Sequence, residues 1–130
     1  MKLLIVTSIL MMNLGIIAPA FASNHGDTDW RNVYLWNSPD DHTPARKKDN
    51  TTAYYNKVNS MDGLGYINIW AALYDGRDVS EGHSYKASEG DETILYNKAV
   101  EWHGSRVSVR IDSRRFANGS TSGVWSPDSI

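Results

Sequence analysis

The chain has 130 residues, 13 Lys and Arg against 15 Asp and Glu, and no cysteine. That length is one domain's worth. A formal charge of −2 argues against a nucleic-acid partner, whose phosphates call for a basic face, and none is expected; the lack of thiols excludes disulfide staples, thiol catalysis and cysteine metal sites.

In chain order, the first element is an export signal. Lys2 precedes an apolar run from Leu3 to Ala18 that only Thr7, Ser8, Asn13 and Gly15 interrupt. The run closes Ala18-Pro19-Ala20-Phe21-Ala22 before Ser23. Ala20 and Ala22 are the small residues a signal peptidase needs at −3 and −1, which places the cut between Ala22 and Ser23. A membrane anchor is the alternative, but spanning takes roughly 20 apolar residues, and this run is shorter and lacks a charged stop. The expectation is a secreted protein, extracellular or envelope-associated, with no stable membrane insertion. Residues 23–130 would carry twelve Lys and Arg against fifteen Asp and Glu, a net charge of −3.

The rest reads as short strands. Residues 23–50 are expected to be a polar segment and linker with one strand, Trp30 to Trp36. Within them, Asn37 to Asn50 holds two prolines and six charged residues and reads as a solvated loop. Residues 51–130 are expected to form the domain. Thr51 to Val58 is rich in β formers, and Gly63 and Gly65 mark a turn. Tyr66 to Tyr74 is the clearest strand: Ile67, Ile69, Ala71 and Leu73 alternate with Tyr66, Asn68, Trp70, Ala72 and Tyr74. A turn at Asp75-Gly76 follows, then a short strand within Val79 to Ala87. Thr93 to His103 suits strands or one short helix, and the bracketing Gly90 and Gly104 favour strands. Arg106 to Asp112 alternates cleanly, with Val107, Val109 and Ile111 inward. A last strand lies near Ser122 to Trp125. Six to seven short strands separated by turn residues define an all-β fold, a small antiparallel β-sandwich.

With these residues laid out, the chain resembles the YolA-like small secreted proteins of bacilli and relatives. The matching stretches are Arg46, Asn50-Thr51-Thr52, Lys57-Val58-Asn59, Gly63 and Gly65, Trp70-Ala71-Ala72, and Ser122-Gly123-Val124-Trp125. The resemblance implies export and an all-β fold. It implies no activity, since none is established for that family.

Catalytic patterns are weak. Gly119-Ser120-Thr121-Ser122-Gly123 has Thr where a nucleophile elbow needs Ser and reads as a turn. Asp27 with Asp29, and Asp75 with Asp78, are ordinary turn acids. A zinc site from His83, His103 and a carboxylate needs three or four converging ligands; four scattered surface histidines (His25, His42, His83, His103) is the better reading. No cofactor is expected. The sharpest enzyme hypothesis, a small secreted ribonuclease or hydrolase, would use Glu101, His103, Arg106 and Arg110 as base, acid and anion stabilisers. Against it stand the acidic balance and the ordinary use of charges on an edge strand.

The binding hypothesis rests on Tyr66, Trp70 and Tyr74. They lie on one face of one strand, roughly 13 Å apart at strand rise. Five Trp and seven Tyr against two Phe give most rings a polar edge that suits a half-exposed face. The alternative is that both strand faces are buried and these rings are core. The function expected from sequence is a non-enzymatic binding or interaction module acting on wall glycan or an extracellular protein. A secreted bacteriocin-like antagonist is the second reading, weakened because no cationic amphipathic segment is present.

Overall fold

The computed structural model describes residues 22–130. Most of the expected signal peptide, Ala20 included, lies outside the described residues; Ala22 and Ser23 lie within them. Two antiparallel sheets pack face to face. One runs β1 (Thr28–Tyr34), β9 (Gly119–Ser126), β4 (Tyr54–Asp62), β7 (Glu92–Leu95). The other runs β2 (Asp40–His42), β8 (Val107–Arg114), β5 (Ile67–Leu73), β6 (Tyr85–Ala87), with β3 (Arg46–Lys48) also on β8.

The alternation seen in the sequence becomes the core. Ile67, Ile69, Ala71 and Leu73 of β5 and Val109 and Ile111 of β8 face Trp30 and Tyr34 of β1, Tyr54 and Val58 of β4, and Trp125 of β9. The Tyr54 hydroxyl crosses between the sheets and donates to the Ala72 carbonyl at 2.9 Å. Near the opposite edge, the Tyr34 hydroxyl meets Ser113 Oγ at 2.6 Å. Asn32 joins that pair, its Oδ1 3.1 Å from each hydroxyl and its amide donating to the His42 carbonyl at 2.9 Å. This buried polar knot ties β1 to β2 and β8, so the edge strand beside β8 is fixed from behind.

Two expectations are corrected. Asn37 to Asn50, read as a solvated loop, contains β2 and β3, which succeed one another along the same edge of β8. Thr43 bridges the kink between them: its N–H donates to Ile111 O, and Ile111 N–H donates to Thr43 Oγ1 at 2.9 Å. A hydroxyl thus replaces one missing ladder acceptor, which apolar periodicity could not reveal. Thr93 to His103, read as strands, is β7 followed by a one-turn helix, α1 (Ala99–His103). The buried Asn97 makes the break: its Oδ1 accepts from Ala99 N–H and its amide donates to Thr52 O at 3.2 Å. Short Asx bonds of this kind divert the chain from a strand ladder.

Candidate binding site

The three aromatics singled out by sequence all lie away from the core side of β5, but their surroundings differ. Tyr66 is already covered. The Arg115 guanidinium sits 4.1 Å from its ring centroid and the Lys86 ammonium 4.4 Å, and Arg115 is held there by two bonds to Leu64 O at 2.7 and 3.0 Å. Cation–π contacts of this kind occupy the ring faces a ligand would need. Tyr74 lies beyond the end of β5 and is 52% exposed. Trp70, in mid-strand and half-buried, lines a basin of about 480 Å³.

Strand pairing builds that basin. Trp70 stands opposite Asp112 of β8, and Asp112 stands opposite His42 of β2. One row across the sheet therefore reads Trp70, Asp112, His42, at roughly 5 Å per step. Two residues either way along β8 lie Arg110 and Arg114. Arg110 Nε donates to Asp112 Oδ1 at 2.6 Å, and its Nη1 donates to Tyr74 O at 2.9 Å. Arg114 grips Asp40 with two bonds, Nε to Oδ1 at 2.6 Å and Nη2 to Oδ2 at 3.1 Å. Gly76, at φ +91°, forms the lip; a side chain there would press on Arg110 Nη2 at 3.0 Å and touch Asp112 Oδ2 at 3.5 Å. The Asp75-Gly76 turn predicted from sequence therefore also clears space for the site.

Both arginines of the basin are paired. Arg114 holds the Asp40 carboxyl below the usual aspartate range, mainly through its hydrogen bond, and Asp40 raises the guanidinium in turn. A carboxyl with a lowered folded-state value contributes its stabilisation fully above the unfolded-state value and loses it as pH falls through the lower one. The pair is therefore expected to stay intact until the solution is more acidic than the ordinary aspartate range. In Arg114→Ala the Asp40 carboxyl should return toward that range, as a ¹³C NMR pH titration would read.

Sequence reasoning named Trp70 but not Asp40, His42, Asp112 or Arg114 as its neighbours. The outward positions of Arg110 and Asp112 were legible from the Arg106 to Asp112 alternation. That β8 lies between β5 and β2 was not.

The alternative enzyme residues do not converge. Glu101 and His103 lie on α1. Arg106 pairs with Asp49 at 3.4 Å, while Arg110 pairs with Asp112 at the basin. Among the described residues no hydrogen bond or ion pair joins these four side chains. His83 stacks on Tyr96 at 4.4 Å between centroids, and among the described residues no three His, Asp or Glu side chains are grouped to hold a metal. Asp75 and Asp78 each accept from the backbone N–H two residues on, as turn acids do.

The fold and this face define a small two-sheet β-sandwich protein with an aromatic, charge-paired basin on one outer surface. Residues 18–129 match the family described as protein of unknown function (DUF2712), and the chain belongs to that family. No curated protein and no solved structure matches the chain.

Proposed function

We propose that this protein is exported and acts as a non-enzymatic binding module at or outside the cell envelope, holding its ligand on the outer face of the five-stranded sheet. The resemblance to the YolA-like secreted proteins of bacilli and the Lys2 to Ala22 pattern support export. The observation that carries the binding reading is Trp70, half-buried at the basin, with its inner-face neighbours Ile69 and Ala71 fully packed. A ring held on a rigid strand meets a ligand with little loss of conformational freedom.

The test uses protein released from an expressing bacterial host. Its mass should correspond to a chain beginning at Ser23. It should sediment with isolated cell walls in a saturable manner, and Trp70→Ala should weaken that binding at least tenfold while the thermal unfolding curve stays cooperative. Binding that Trp70→Ala leaves unchanged, or no binding to walls or intact cells, would remove this reading.

A further inference from the structure

We propose that the Trp70 basin accepts an uncharged sugar ring, a neutral pyranose of a glycan. This rests on the binding reading above and names the ligand for the same face.

The argument begins with charge. The basin is lined by three carboxylates, Asp40, Asp41 and Asp112, and two guanidiniums, Arg110 and Arg114. Both guanidiniums are already paired with carboxylates at 2.6 Å. An anion drawn to either arginine would meet the carboxylate bound to it, a cation drawn to Asp40 or Asp112 would meet its arginine, and the Asp41 oxygens already accept from the backbone N–H groups of Val33 and His42 at 2.9 and 2.8 Å. Breaking such a pair leaves one member without its partner, which costs more the less water reaches it; Arg110 and Asp112 are only 18% and 15% exposed. A charged ligand therefore gains little at the Arg110–Asp112 pair beside Trp70; the more exposed Arg114–Asp40 pair is the weaker barrier.

The hydrogen-bonding groups left over suit hydroxyls. Arg110 Nη2 and Arg114 Nη1 make no hydrogen bond among the described residues, and both can only donate. Asp112 Oδ2 likewise has none, and it can only accept. His42 Nδ1 lies 2.8 Å from the Thr43 carbonyl. A carbonyl oxygen only accepts, so Nδ1 carries the proton, and in the neutral ring Nε2 presents a lone pair. Along β8 donors and acceptors thus alternate, Arg110, Asp112, Arg114, with the His42 acceptor beside Asp112. A sugar's neighbouring hydroxyls, each donor and acceptor at once, answer that alternation without any charge change.

The third element is Trp70. The C–H face of a pyranose packs on an aromatic ring, whose face is negative and whose area is large. The volume, about 480 Å³, falls in the range of roughly 300–1,000 Å³ usual for small-molecule sites. Tyr66 takes no part, because Arg115 and Lys86 cover it.

The ligand could belong to the cell-wall glycan or to free oligosaccharide in the medium. The experiment measures wall co-sedimentation of the released protein, competed by four fractions. These are the neutral and the charged oligosaccharides released from the same walls, and the neutral and the charged saccharides of spent medium, each separated by anion exchange. A neutral fraction is expected to displace the protein, with the displacement changing less than twofold between 50 and 500 mM NaCl. Its source identifies wall glycan or free sugar. Trp70→Ala should lose binding at least tenfold, and Trp70→Phe, which keeps a ring and guards against a folding defect, should lose less than fivefold. Wall binding that needs Trp70 but is displaced only by a charged fraction, or by none, overturns the sugar and leaves the binding module standing. Wall binding that is absent, or indifferent to both Trp70 substitutions, overturns the module and the sugar together.

Discussion

Asp128→Ala is expected to destabilise the protein by about 3–5 kcal/mol, the cost of stranding one member of a buried ion pair. Lys48 and Asp128 are fully buried and meet at 2.9 Å. Lys48 Nζ also donates to Pro127 O at 2.7 Å and to Thr52 O. Asp128 accepts from the backbone N–H of Asn24 at 2.7 Å and of Asp49 at 3.0 Å. One carboxylate therefore ties the segment before β1, the end of β3 and the chain after β9. Burial pushes the Lys48 ammonium below the ordinary lysine range, and the bond to Asp128 pulls it partly back. The cost of losing one partner comes from the charge left behind. Urea unfolding should show Asp128→Asn, which keeps an acceptor for the backbone N–H groups, less damaging than Asp128→Ala. Lys48→Met combined with Asp128→Asn should cost less than the sum of the two single changes. A strictly additive double-mutant cycle would refute the coupling.

The second large effect is expected at Gly123. A Cβ there would collide with the Lys57 carbonyl of β4 and lie 2.8 Å from Trp30 Cζ2. Neither neighbour can yield easily. The carbonyl belongs to the central strand β4, beside the register shift between Val58 and Ser60, and Trp30 is 4% exposed in the core. Overpacking of a tight site costs about 1–3 kcal/mol and at times more; Gly123→Ala belongs at or above the top of that range, and Gly123→Val should prevent folding. Gly82→Ala is the control. Gly82 has φ +81°, and an added methyl would meet nothing within 4 Å, so only the left-handed backbone penalty of roughly 1–2 kcal/mol applies. If thermal unfolding ranked Gly82→Ala as the more damaging change, close approach would not be what Gly123 serves.

Gly123 also shows what the short stretches around it do. In Ser122-Gly123-Val124-Trp125 the glycine admits Trp30 and the Lys57 carbonyl, and Trp125 is fully buried, 6.0 Å from Tyr54 between ring centroids. In Trp70-Ala71-Ala72 both alanines are fully buried and only Trp70 reaches the basin. Most of these residues are therefore packing. The same strand carries core on one side and the candidate site on the other.

What the sequence determined by itself was whatever one strand or turn encodes locally. The period-two pattern of Ile67 to Leu73 and of Val107 to Ile111 marks inner and outer faces, and the six to seven strands expected fall on β1 and β4 to β9. Asp75-Gly76 was a turn on its own chemistry. The tertiary structure decided everything that depends on which strands become neighbours and in what register. Lys48 looked solvated because its flanking sequence is charged; pairing of Arg46, Lys47 and Lys48 with β8 turns Lys48 inward to Asp128. Tyr66, Trp70 and Tyr74 were equivalent along the strand, and they were separated by what stands across from them: two cations on Tyr66, an open end at Tyr74, and Asp112 and His42 beside Trp70. Periodicity is a property of one segment, whereas a partner is chosen by burial and hydrogen bonding summed over the whole sheet.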